Sequence, residues 1–182
     1  MKITNTNIEG LLIIEPIIFH DSRGCFLESW NQKKFNELGI NENFVQDNQS
    51  ISSKGVLRGL HFQNPPFAQA KLVSVIKGAV IDVAVDLRLN SKTYGMHCSV
   101  LLNSDNHKLF FIPKGFAHGF ITLEDNTIFS YKCSDFYNKD SEESLIWNDK
   151  DLAIDWQITN PIVSEKDSNA KYFKDYKSKF ND

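Results

Sequence analysis

The chain has 182 residues, 41% of them apolar and 24% charged, with a formal net charge of -3. This is the composition of a globular protein long enough to build one core without metals or disulfides, and it argues against a disordered or membrane-spanning chain. Lys and Arg are scattered, so a nucleic-acid partner is not expected and any anionic ligand has to be met by a local site. Cys25, Cys98 and Cys133 lie far apart in no metal-ligand spacing and read as reduced thiols. The stretch from Met1 to Asn7 lacks a basic run followed by an apolar core, and no apolar run approaches the roughly 18 residues that cross a bilayer. No membrane partner is expected, and the expected location is cytoplasmic.

Taken in chain order, short apolar, β-branched and aromatic runs predict strands over 11–19, 25–30, 56–62, 71–75, 80–87, 98–102, 109–112, 116–123 and 127–131. Turn residues such as Asp21-Ser22-Arg23-Gly24, Asn64-Pro65-Pro66 and Lys77-Gly78 separate them. This spacing leaves no room for crossover helices, so the fold class expected is all-β, an antiparallel sandwich or barrel in a single domain. One short helix is expected over 33–38 and another in the polar tail from Ser164 onward. Ile81, Val83 and Val85 alternate with Asp82, Ala84 and Asp86, which puts Asp82 and Asp86 on one face of a strand. That face is either a barrel interior, where Asp82 could hold a catalytic cation, or a solvated exterior.

Arg58 and His61 share one strand-like run, Lys71 opens the next, and His118 follows Pro113-Lys114-Gly115-Phe116-Ala117. A single histidine in an apolar strand is more often a hydrogen-bonded core residue than a catalyst. Several such groups in a barrel-like chain point instead to a polar pocket, and barrel mouths are a common place for one. Arg58 and His61 are three residues apart and would face opposite sides of a regular strand. Gly59 between them permits a bulge that turns both toward one cavity, so an irregular strand is expected here. His61 has no HxH partner and no glutamate shortly after it, and His20, His97 and His107 stand alone, so no metal site is expected.

At the level of ordered blocks, the sequence resembles a known family. The blocks are Arg23-Gly24-Cys25-Phe26-Leu27-Glu28-Ser29-Trp30, Phe44-Val45-Gln46-Asp47-Asn48-Gln49-Ser50, Gly55-Val56-Leu57-Arg58-Gly59-Leu60-His61-Phe62-Gln63 and Gln69-Ala70-Lys71-Leu72-Val73. They continue through Asp82 to Arg88, Ile112 to Phe120, Tyr131-Lys132 and Ile146-Trp147-Asn148-Asp149. Together they are similar to the dTDP-4-dehydrorhamnose 3,5-epimerases of the cupin, or jelly-roll, superfamily, over almost the whole chain.

The resemblance implies a cupin-type barrel with a few peripheral helices, over which the segment from about 150 to 182 packs. It also implies a homodimer without cofactor or metal, acting on dTDP-4-dehydro-6-deoxy-D-glucose to give dTDP-4-dehydro-L-rhamnose. Carried onto this chain, it makes His61 the base, Asp167 its carboxylate partner, Tyr131 the acid and Lys71 the cation at the C4 oxygen. Arg23, Glu28, Gln46, Asn48, Arg58, His118, Glu142 and Lys166 are implied around sugar and diphosphate, with Phe136 stacking on thymine. Glu142 rather than Glu143 rests on counting back from Trp147. Ser74, where the family often has arginine, Cys25, and Phe136, where tyrosine is common, depart from the pattern. A relative inverting only C3 or only C5, a relative using another nucleotide, a non-catalytic sugar-binding cupin and a metal-dependent cupin oxygenase are the competing readings.

Overall fold

Strands dominate, and they divide into two facing sheets. A computed structural model describes residues 1–181. Its first sheet has six strands in the order β1 (Lys2–Asn5), β2 (Leu12–Glu15), β10 (Leu109–Ile112), β7 (Lys71–Lys77), β12 (Thr127–Cys133) and β5 (Gln46–Ser52). The second runs β13 (Glu142–Ser144), β6 (Val56–Gln63), β11 (Phe116–Thr122), β8 (Ala79–Asp86) and β9 (His97–Asn103), with β14 (Ile162–Val163) pairing parallel to β6. Every other ladder among the described residues is antiparallel, including the separate hairpin of β3 (Ile18–Asp21) and β4 (Gly24–Leu27). The predicted run over 11–19 breaks in two at Pro16, which has no N–H to give a ladder. No helix among the described residues is long and apolar enough to cross a membrane.

Apolar side chains from both sheets meet in the middle. Val73, Val75, Phe110 and Phe129 from the first sheet pack with Val80, Ala84, Val100, Phe116 and Phe120 from the second. Each large side chain removed from water contributes about 1.5–3 kcal/mol. A further core forms on the outer side of the second sheet, where Leu57, Phe62, Ile81, Val83 and Val85 pack with Leu152, Trp156, Tyr176 and Phe180 of the C-terminal segment. β8 is therefore buried along both faces. That excludes the solvated face considered for Asp82 and Asp86, both of which are fully buried. Asp86 is satisfied by Arg88, Ser91 and Thr93.

Three local features position the candidate site. Helix α1 (Gln32–Glu37) is capped by Asn31, whose side chain accepts from the Lys34 N–H, and it buries Phe35 against Trp30. The short α2 (Glu165–Ser168) is capped by Ser164, whose Oγ accepts from the Asp167 N–H at 3.1 Å. In β6 the register slips by one residue, with His61 opposite His118 but Arg58 opposite Phe120. Gly59 lies inside the slip at φ +143°, and a Cβ there would stand 2.5 Å from the Gly119 Cα, so only glycine fits. The expected irregularity is thus present, and both Arg58 and His61 face one cavity.

Candidate active site

A cavity of about 340 Å³ opens between the two sheets. One wall carries Gln46, Asn48 and Ser50 of β5, Lys71 of β7 and Tyr131 of β12, and the facing wall carries Arg58, His61 and Gln63 of β6, His118 of β11 and Glu142 of β13. On β5 the residues Gln46, Asn48 and Ser50 recur every second place, so one pleat face presents all three. On β13 the same alternation separates two adjacent glutamates. Glu142 lines the cavity, whereas Glu143 turns away to Asn64, Lys171 and Lys179.

His61 Nε2 lies 2.6 Å from Asp167 Oδ1, and the Gly59 N–H donates to Asp167 Oδ2 at 3.3 Å. The carboxylate reaches this strand because its helix is tied down at both ends. β14 pairs with β6 before it, and the Ile146 N–H donates to the Lys171 carbonyl at 2.8 Å after it. Burial alone would raise the Asp167 carboxyl, but the hydrogen bonds and charge from His61, with those from Gly59 and Ser164, outweigh it and hold the group below the usual carboxylate range. The His61 side chain is 32% exposed and that of Asp167 4%, so the ring meets the cavity while its partner is shielded.

Lys71 is buried on the opposite wall, its Nζ 6.0 Å from the centre of the Tyr131 ring and 3.4 Å from the His61 carbonyl it donates to. Burial draws its ammonium below the ordinary lysine range, against the pull of Cys133, Asp82 and Glu142. Burial likewise pushes the Tyr131 phenol up, aided by Cys133 and opposed by Asn48 and Arg58, so the phenol keeps its proton. A cation in a dry site and a protonated phenol facing a carboxylate-backed imidazole can move protons on and off an acidic carbon.

The mouth is held by polar contacts. Gln46 donates to Asn48 at 3.1 Å and accepts from the Tyr137 N–H at 2.9 Å. The Tyr137 hydroxyl donates to Glu142 at 3.2 Å, and Lys166 pairs with the same carboxylate oxygen at 2.6 Å. For Glu142 too, burial raises the carboxyl and is outweighed, here by the hydrogen bond and charge of Lys166, so it stays below the usual range. Arg58 rests on Ser52 Oγ through two contacts of 3.3 Å.

The family model for dTDP-4-dehydrorhamnose 3,5-epimerase matches residues 5–175 of this chain. The chain belongs to that family. It is 52% identical over 169 residues to the dTDP-4-dehydrorhamnose 3,5-epimerase of Escherichia coli K12, a match covering 92% of this chain and 91% of that protein. The crystal structure of the enzyme of that name from Elizabethkingia anophelis superposes with a TM-score of 0.92 at 55% identity, covering 96% of this chain and 97% of the other. The Legionella pneumophila epimerase in complex with dTDP-4-keto-L-rhamnose gives 0.93 at 50% identity, covering 97% and 94%. The fold is accordingly the cupin jelly roll of these epimerases.

Of the residues that the family resemblance implied, the cavity gathers His61, Lys71, Tyr131, Gln46, Asn48, Arg58, His118 and Glu142, with Asp167 and Lys166 directly behind it. Three stay apart within one chain. Arg23 sits at the tip of the β3–β4 hairpin, paired with Asp21 at 2.6 Å, and Glu28 pairs with Lys34 at 2.8 Å. The Phe136 ring is 64% exposed and does not line the cavity; the neighbouring Tyr137 does. Adjacent residues in extended chain point opposite ways, so the pair Phe136-Tyr137 allows only one ring at the mouth. Gln63, Gln69 and Ser50 also line the cavity without having been singled out. Gln63 was within reach of the alternation rule, being two places after His61 on the same strand.

Proposed function

We infer that this chain is a dTDP-4-dehydrorhamnose 3,5-epimerase, an isomerase converting dTDP-4-dehydro-6-deoxy-D-glucose to dTDP-4-dehydro-L-rhamnose. The observation that carries the reading is the pairing across one cavity of a carboxylate-backed histidine, His61 with Asp167, and a buried protonated tyrosine, Tyr131, on the facing sheet.

In this reading His61 Nε2 cannot serve as base while it is held by Asp167, so the proton is taken by the ring's other nitrogen, Nδ1, with the carboxylate fixing the tautomer and stabilising the imidazolium. The proton leaves a carbon beside the C4 ketone and the electron pair moves onto the ketone oxygen. Lys71 ammonium meets that enolate charge without reorganisation. Tyr131 returns a proton to the carbon from the opposite face, which inverts it, and the two groups then exchange protons with water. One cycle at C5 and one at C3 complete the conversion. Arg58, Gln46, Asn48, Glu142 and Lys166 hold the sugar and diphosphate near the mouth, and no cofactor or metal takes part.

The enzyme works as a cytoplasmic homodimer in this reading. Support for the dimer is the hairpin arm, where Phe19 and Phe26 with the adjacent Ile17 are 60%, 68% and 57% exposed, apolar area of the kind that marks a protein interface. A partner copy covering it would bring Arg23 and Glu28 near a nucleotide that one chain leaves partly uncovered. Free Cys25, Cys98 and Cys133 fit a reducing compartment.

Incubation with the 4-keto sugar nucleotide in deuterated water, followed by locating the label, tests the activity. Deuterium at both C3 and C5 is expected. Label at one carbon would identify an enzyme inverting a single centre, and label at neither would overturn the assignment.

A further inference from the structure

A second histidine–carboxylate pair lies deeper in the same cavity. His118 of β11 and Asp82 of the adjacent β8 are diagonal neighbours, and His118 Nε2 stands 3.0 and 2.9 Å from the two Asp82 oxygens. Asp82 is fully buried, and among the described residues His118 is the one partner at ion-pair distance. An ionised carboxylate only accepts, so the hydrogen between them belongs to Nε2. Phe120 and Phe129, stacked on each other at 4.0 Å, lie beside the imidazole with ring centres at 6.4 and 6.1 Å from it. The remaining nitrogen, Nδ1, makes no hydrogen bond to any described residue, and the side chain lines the cavity.

The charges nearby favour a neutral ring. Burial draws the His118 imidazole below its usual pKa; Asp82 pulls the other way, and the charges of Lys71 and His61 add to burial. Asp82 also acts on Lys71, pulling its pKa up against the effect of burial. On the facing wall Lys71 and the Tyr131 phenol are donors, and in the proposed reaction the free nitrogen of His61 is engaged with the carbon's proton. A hydroxyl placed beside them needs an acceptor.

We propose that Asp82 holds His118 as the neutral tautomer protonated on Nε2, so that its bare Nδ1 accepts a hydrogen bond from the sugar hydroxyl next to the ketone. In the 4-keto sugar that is the C3 hydroxyl, since C5 carries the methyl branch. Only the identity of the hydroxyl rests on the epimerase reading. Asp82 is then a positioning residue acting through His118, and the pair selects substrates that carry a hydroxyl at C3.

Long-range proton–nitrogen correlation on the full chain labelled with 15N-histidine reads the tautomer directly, the His118 signals being identified by their loss in His118→Gln. Between about pH 6 and 9, Nε2 should be protonated and Nδ1 bare. A proton on Nδ1, in the other tautomer or in an imidazolium, overturns the proposal, and this measurement needs only the wild-type fold. Kinetics give the second arm. Against the analogue lacking the C3 hydroxyl, deuterium exchange at C5 should fall roughly ten- to a hundredfold in kcat/KM, the effect of one lost buried hydrogen bond. Asp82→Asn should weaken that preference, because its amide can donate to Nε2 and turn Nδ1 into a donor, leaving the hydroxyl's hydrogen without its acceptor. Equal exchange of both sugars by the wild type, or full preference in Asp82→Asn, contradicts the proposal. If the wild type exchanges neither sugar, the epimerase reading falls, and the nitrogen spectra alone decide the role of Asp82.

Discussion

The two histidine–carboxylate pairs use the same chemistry in different settings. His61 borrows its carboxylate from a four-residue helix docked on the outside of the sheet, and its ring is 32% exposed. His118 takes its carboxylate from the next strand, and that pair is sealed, with side chains 6% and 0% exposed. A base that cycles its proton needs a path to water and a partner that stabilises its charged form. A group that only recognises needs a fixed protonation state, which burial between two strands provides. In the proposed reaction the fold of the support, and not the residue pair, separates a proton shuttle from a binding group.

Variants sharpen that contrast. His61→Asn removes the proposed base, and the rate of deuterium exchange should fall by about 10³-fold or more, read by proton NMR of the sugar. Exchange near the wild-type rate would remove His61 from the reaction. Asp167→Asn leaves the ring but loses the charge that supports its imidazolium, so a drop in kcat of about 10²-fold is expected, with KM changed far less. Ser164→Ala takes away the cap of α2, a loss of about 1 kcal/mol that should lower Tm by roughly 2–4 °C and kcat only a few-fold. A Tm unchanged by Ser164→Ala would mean that β14 and the Lys171 contact anchor the helix without it.

Acid gives a further reading of the exposed pair. Asp167 is held below its ordinary pKa in the folded chain, so the unfolded chain binds the extra proton first. The stability it contributes is therefore present above the unfolded value of about 3.9 and is lost as pH falls through the lower folded value. The Tm difference between wild type and Asp167→Asn should close as pH drops below about 4. A difference that goes on widening below about pH 4 would contradict the ionised pair.

Much of the barrel was legible because its strands are apolar on at least one face. The runs at 56–62, 109–112 and 116–123 stand out for that reason, and β10 (Leu109–Ile112) coincides with its predicted span. β5 escaped, since its inward residues Gln46, Asn48 and Ser50 are polar because they line a cavity and not a core. Polar alternation is a signal for a strand facing a wet interior, though solvent-exposed loops give it too. The two-residue β14 carries no pattern at all, yet it is what brings Asp167 to His61. Lys166 and Asp167 lie in a polar tail whose docking depends on Leu152, Trp156, Tyr176 and Phe180, apolar residues too far apart in sequence to announce a shared face. The bend at Gly59 was legible from chemistry, because two residues three apart had to meet.

In the proposed reaction protons leave and enter on opposite sides of the sugar, and Tyr131→Phe separates the two sides. In deuterated water this variant should still wash label into the unconverted D-sugar at the carbons beside the ketone, because His61 can remove a proton and return a deuteron to the same face. Formation of the inverted L-sugar should be strongly reduced. Inversion at the wild-type rate, or recovered D-sugar with no label, would contradict the two-sided account.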